Sequence, residues 1–192
     1  MPTAHTPQNK TALRDQLLTA RNRKSLADVG ADAVAIAGRL LASAAVRRAG
    51  TIAAYVSIGT EPGTSVLIEE LREQGKRVLL PLLQPDNDLD WAVHTGDLIP
   101  ARRGLLEPGG PTVGPEAIAW ADVVLLPGLA VDRLGMRLGR GGGSYDRVLG
   151  RIPLGTPTIV LLYDGEILDR VPAEPHDRRV SHAVTPSGMV GF

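Results

Sequence analysis

Residues Leu125–Leu149 read LLPGLAVDRLGMRLGRGGGSYDRVL, and the order of parts in this stretch decides how the chain folds. The apolar, β-branched run from Asp122 to Pro127 has the length of a buried strand and breaks at Pro127-Gly128. Gly135, Gly139, Gly141, Gly142 and Gly143 then mix with Asp132, Arg137 and Arg140, and Ser144 to Leu149 opens a helix. Strand, glycine loop and helix in that order make an anion cradle. Glycines leave backbone N–H groups pointing outward, and the helix dipole favours negative charge in front of them. Arg137 and Arg140 strengthen this reading. The composition also suits a surface loop that uses glycine only to turn, and neither G-x-G-x-x-G nor G-x-x-x-x-G-K-[ST] is present.

Outward from this stretch, strands and helices alternate. Leu13, Leu17 and Leu18 give Lys10–Lys24 a helical spacing, with Lys10 and Arg14 four apart on one face. An alanine-rich segment predicts a second helix over 25–49, with Val34, Leu40, Leu41 and Val46 inward. Thr51–Ile58 is a strand covered on both faces, and Thr64 or Ser65 caps a helix that stops at Gly75. Glu61 stands at that strand's exit, where open α/β sheets hold ligands. Lys76–Leu82 closes a βαβ unit, Leu89–Thr95 suits an edge strand, and Leu98–Pro115 reads as a long covering loop. Pro157–Tyr163 and His182–Thr185 supply further strands. The expected fold is α/β, a three-layer α/β/α single domain with a mostly parallel sheet over 10–192, behind a loose tail at 1–9.

Composition excludes several classes. The 21 Lys and Arg balance 21 Asp and Glu, so no overall positive field holds nucleic acid or an anionic membrane. Cysteine is absent, which removes thiol nucleophiles and thiolate metal sites. No segment has the pattern of a signal peptide or membrane span, and a cytoplasmic monomer acting on small molecules is expected.

The glycine stretch resembles the signature of the 5-formyltetrahydrofolate cyclo-ligases, in which a Pro-Gly-Leu segment and an Asp precede Arg-Leu-Gly-x-Gly-x-Gly-Tyr-Tyr-Asp. Arg137, Leu138, Gly139, Arg140, Gly141, Gly143, Tyr145 and Asp146 follow that pattern here. Gly142 stands where the family often has lysine, and Ser144 where it has tyrosine. The resemblance implies ATP as co-substrate and Mg²⁺ as cofactor. Lys10, Arg14, Arg137, Gly139, Arg140, Gly141, Gly142, Gly143, Ser144 and Tyr145 would contact the nucleotide, and Arg140, Ser144 and Tyr145 would lie at the chemistry. Val56, Glu61, Arg140, Gly141, Gly142, Gly143 and Ser144 would meet the reduced folate. A second, partial match at Val171-Pro172 and His176-Asp177 makes Asp177, with Asp146, the implied Mg²⁺-associated pair. The implied reaction converts 5-formyltetrahydrofolate to 5,10-methenyltetrahydrofolate at the expense of ATP. Two alternatives stay open: a weakened paralogue serving as a nucleotide- or folate-binding regulator, motivated by Gly142 and Ser144, and a ligase for another small formyl or carboxylate compound.

Overall fold

The computed structural model describes residues 9–192. In chain order its elements are α1 (Lys10–Arg21), α2 (Leu26–Ala42), α3 (Ala44–Arg48), β1 (Thr51–Ala53), α4 (Ser65–Glu73), β2 (Arg77–Leu83), β3 (Leu89–Val93), β4 (Leu98–Pro100), β5 (Leu106–Pro108), β6 (Val123–Pro127), β7 (Ala130–Asp132), β8 (Arg137–Leu138), α5 (Ser144–Arg151), β9 (Thr158–Leu161), β10 (Ile167–Leu168), β11 (His182–Val184) and β12 (Met189–Gly191). The main sheet has the order β12-β11-β9-β6-β1-β2-β3. Its interior pairs are parallel, and only the edge strands β3 and β12 run antiparallel to their neighbours.

The interior strands are apolar on both sides because both faces are covered. Ile36, Ala37 and Leu40 of α2 and Leu67, Ile68 and Leu71 of α4 pack on one face. On the other lie Val148 of α5 and Ala117 and Ile118 of a 3₁₀ turn, Pro115–Trp120. Each fully buried leucine or isoleucine contributes about 1.5–3 kcal/mol against exposure. The expected three layers and mostly parallel sheet are present.

Several local expectations are corrected. Asn9 is no tail residue: its side chain accepts the Ala12 amide and caps α1, while 1–8 lie outside the described residues. The helix expected over 25–49 is two helices. Ser43 leaves the helical region at ψ 142, donates its hydroxyl to Leu40 O and accepts the Val46 amide, which ends α2 and starts α3. Val34 is 59% exposed, because the buried stripe is Ala33, Ile36, Ala37 and Leu40, from which it stands about 100° away. Paired strand β1 ends at Ala53, and the chain from Ala54 to Ile58 continues irregularly.

Thr64 precedes α4 without capping it. Its hydroxyl donates to Tyr55 O and accepts the Ser57 amide, pinning the loop after β1. The segment 98–115 is not structureless, since β4 and β5 pair as a hairpin. Between β6 and the glycines the chain inserts β7 and β8, which pair with each other and, through β7, with β10. Their turn is built by Asp132, whose Oδ1 accepts the Leu134 and Met136 amides, and by Gly135 at φ 81. A Cβ at Gly135 would stand 2.4 Å from Val180 O, so no other residue fits there.

Candidate active site

Strand β2 lies to one side of β1 and β6 to the other, so the order of chain growth reverses between β1 and β6. Outside the carboxyl ends of parallel strands, such a reversal leaves a crevice. A cavity of about 980 Å³ opens there. Helix α1 brings Lys10 and Arg14 to its lining, the β1–α4 connection brings Val56 and Glu61, and β8 brings Arg137. Gly139, Arg140, Gly141, Gly142 and Gly143 form one wall, Ser144, Tyr145 and Asp146 begin α5, and Asp177 comes from the loop before β11. Every residue that the family resemblance implicates thus borders one space, whereas Asp132 and Gly135 belong to the β7–β8 turn.

Arginines set the shape of the glycine wall. Arg14 Nε donates to Gly139 O at 2.9 Å, and its guanidinium carbon lies 3.4 Å from where a Cβ of Gly141 would be. Gly141 also has φ 102, a conformation that L side chains rarely adopt. A Cβ at Gly139 would be 2.8 Å from Arg137 Nη1. Gly143, left-handed at φ 75, precedes α5 without a side-chain cap, so the first amides of that helix are left to other partners.

Arg137 is only 6% exposed and is not the free loop cation that the sequence suggests. Its Nη1 donates to Pro127 O at 3.1 Å, its Nη2 lies 3.4 Å from Asp146 Oδ1, and its guanidinium stands over the Tyr145 ring. Burial pushes the pKa of this guanidinium down, and Asp146 opposes that shift. Its Nε is buried with no partner among the described residues. Arg140 is the exposed member of the pair. Its Nε lies 3.2 Å from Glu61 Oε1, while Glu61 Oε2 accepts the Ile58 amide. Burial raises the pKa of the Glu61 carboxyl, against the pull of that amide and of Arg140.

On the opposite side, Lys10 Nζ lies 2.6 Å from both Glu174 Oε2 and Asp177 Oδ2. Burial alone would raise the Asp177 pKa; the Lys10 ammonium and the Glu174 amide outweigh it and hold the carboxyl below its ordinary value. Glu174, His176 and Asp177 bring one ligand atom each within 4.8 Å of one another. Asp146 is engaged elsewhere, accepting the Arg178 amide at 3.3 Å besides facing Arg137. Glu174 was missed in the sequence, although Glu174-Pro-His-Asp177 contains it. Tyr55 was also missed: it lines the cavity, and its hydroxyl is buried without a partner among the described residues.

Residues 6–186 match the profile of the 5-formyltetrahydrofolate cyclo-ligase family. The chain belongs to that family. It is 42% identical to a 5-formyltetrahydrofolate cyclo-ligase of Mycolicibacterium smegmatis, over 97% of this chain and 98% of the relative. It is 34% identical to the Escherichia coli K12 enzyme of the same name, over 79% and 86%. Among solved structures, the 5,10-methenyltetrahydrofolate synthetase of Aquifex aeolicus superposes with a TM-score of 0.81 at 25% identity, covering 95% of this chain and 92% of the other. Within this cyclo-ligase, the two departures from the family signature differ in their surroundings. Gly142 has no left-handed backbone, and a Cβ there would meet only Ser144 Oγ, at 3.8 Å, so a side chain fits. Ser144 borders the cavity at the first position of α5, beside Tyr145, which is packed into both faces of the core.

Proposed function

We propose that this chain is an ATP- and Mg²⁺-dependent 5-formyltetrahydrofolate cyclo-ligase, a cytoplasmic monomer working as one α/β unit over residues 10–192. One observation carries the reading: a single cavity joins the glycine wall and its arginines to Val56 and Glu61, which come from a separate segment of the chain. An amide nitrogen donates into the formyl carbonyl and makes its carbon a poor electrophile. Transfer of the γ-phosphoryl of ATP to the formyl oxygen turns that oxygen into a leaving group. N10 then attacks the carbon and loses its proton, phosphate departs, and the methenyl bridge closes.

Such a transfer needs positioning and charge balance more than a nucleophile. The amides of Gly139 to Gly143 and the cations Lys10, Arg14 and Arg140 serve that purpose, while Arg137 holds Asp146 and the Pro127 carbonyl in place beneath them. Val56 and Glu61 hold the pterin. Arg140 stands between the two substrates, because it already contacts Glu61. Ser144 and Tyr145 border the reacting groups. Mg²⁺ balances the phosphate oxygens when it binds with the nucleotide. The fit is good: Asp177 and Glu174 already share one cation, the Lys10 ammonium, and offer the carboxylate oxygens that this hard ion takes, with Asp146 on the adjoining wall.

Purified protein mixed with ATP, Mg²⁺ and 5-formyltetrahydrofolate is expected to give the near-ultraviolet absorbance of the methenyl product, dependent on all three. A flat trace combined with tight nucleotide binding would instead make the chain a regulatory paralogue. Glu61→Gln should raise the folate KM about tenfold or more, the worth of a hydrogen bond to a charged group, and leave the ATP KM unchanged. In the unaltered protein folate affinity should fall with acid as the carboxylate protonates, at a pH above that of an ordinary glutamate because the Glu61 pKa is raised. The glutamine variant should lack this acid limb; its persistence would assign the limb to another group.

A further inference from the structure

Helix α1 carries two cations to the cavity, and they are held in opposite ways. Arg14 is fixed to the glycine wall by its bond to Gly139 O at 2.9 Å. Lys10 stands one turn earlier on the same helix face, a separation of about 5–6 Å between Cβ atoms. It turns away from that wall, and its Nζ lies 2.6 Å from both Glu174 Oε2 and Asp177 Oδ2.

Among the described residues no other lysine or arginine reaches either carboxylate. His176 Nε2 lies 3.5 Å from Glu174 Oε2 and 3.8 Å from Asp177 Oδ1, so three donors crowd around the place that the ammonium fills. Two carboxylates and an imidazole drawn this close are donors that a divalent ion takes. The Lys10 side chain is 13% exposed and that of Asp177 9%, and partly desolvated charges such as these are costly to separate unless each finds a new partner.

Resting on the reading of this cavity as an ATP site, we propose that Lys10 is a resident cation and that the site works by exchange. Lys10 gives up Glu174 and Asp177 to a divalent ion and turns its ammonium to the phosphates beside Arg14. No charge is left unpaired at either end, because the carboxylates gain the ion as the ammonium gains phosphate. The flexible four-carbon stem of lysine makes the swing without moving α1, whose first turn is fixed by the Asn9 cap. Metal alone or nucleotide alone meets a closed ion pair, so each strengthens the binding of the other.

Mn²⁺ serves as the probe, since it takes the same oxygen donors as Mg²⁺ and its free form is read by electron spin resonance. Without nucleotide, Lys10→Met should bind Mn²⁺ about tenfold tighter than the unaltered protein, an ordinary coupling between two ligands, and adding Asp177→Asn should abolish that gain. With all metal chelated, Asp177→Asn alone should bind a non-hydrolysable ATP analogue about tenfold tighter, because it frees Lys10; its amide oxygen still accepts the Glu174 amide. In the Lys10→Met background the same change should do nothing for the analogue. Glu174→Gln, at an exposed position, repeats both measurements should Asp177→Asn fail to fold. Unchanged Mn²⁺ affinity in Lys10→Met, or an equal gain in analogue binding with and without Lys10, would overturn the exchange, while turnover of 5-formyltetrahydrofolate by the unaltered protein would keep the cyclo-ligase reading intact. Failure of the unaltered protein to bind the analogue even with Mg²⁺ would overturn both.

Discussion

Gly141→Ala is expected to lower turnover about a hundredfold, the cost of a misplacement near 1 Å at a reacting centre, while shifting the thermal midpoint by only a few degrees. Gly141 has φ 102, and a Cβ there stands 3.4 Å from the guanidinium carbon of Arg14, which is itself tied to Gly139 O. The loop must therefore relax, Arg14 must retreat, or both, and either change moves the amides and the cation proposed to hold the nucleotide. Because Gly141 is exposed, most of the strain escapes into loop displacement rather than into the core. Circular dichroism and steady-state kinetics on one preparation check this. Turnover like that of the unaltered protein would remove the glycine wall from the reaction; loss of folding would make Gly141 an architectural residue.

Arg21→Met should destabilise the protein by about 3–5 kcal/mol, the cost of leaving a buried charge without its partner. Arg21 is 2% exposed. Its Nε and Nη2 each lie 2.7 Å from a Glu166 oxygen, Nη2 also donates to Gly128 O, and the guanidinium stands 5.3 Å from the centre of the Tyr163 ring. Methionine fills much of the volume but leaves the Glu166 carboxylate buried with only the Tyr163 amide. The same change loosens α1, which presents Lys10 and Arg14 to the cavity, so the ATP KM should rise with the folate KM little altered. Urea unfolding of Arg21→Met and of Arg21→Met with Glu166→Leu separates the contributions. If the pair is a burial problem solved by charge, the double variant recovers most of the loss; if it does not recover, the stability resides in the Gly128 hydrogen bond and the Tyr163 contact.

How much of this was legible in the sequence depends on the range of the interactions. Strand β6 and the start of α5 announce themselves by an unbroken apolar run and by glycine punctuation, both local signals. The β7–β8 hairpin hid inside the same stretch because Gly135 and Gly139 looked like parts of one loop, although Asp132 three residues before Gly135 carried the turn. The break at Ser43 hid in an alanine-rich run whose helical propensity is high on both sides. For the site, motif positions pointed to Lys10, Arg14, Glu61 and the glycines, and the fold brings them around one cavity. No local pattern reveals that Lys10 pairs with Glu174, 164 residues away, that Arg21 pairs with Glu166, 145 away, or that Arg140 reaches back to Glu61. Periodicity reports which face of an element is apolar and carries no record of which remote carboxylate a buried cation will find.

Those long spans bear on how the protein comes to exist. Lys10 sits in the first helix, and the carboxylates that fix its ammonium are Glu174 and Asp177 in the loop preceding β11, a strand that must itself be made before the sheet closes on that side. No nascent fragment lacking Glu174 and Asp177 contains the finished crevice. On the ribosome, the crevice proposed to hold nucleotide should therefore form abruptly, only once the loop that carries Glu174 and Asp177 has emerged, rather than growing with chain length.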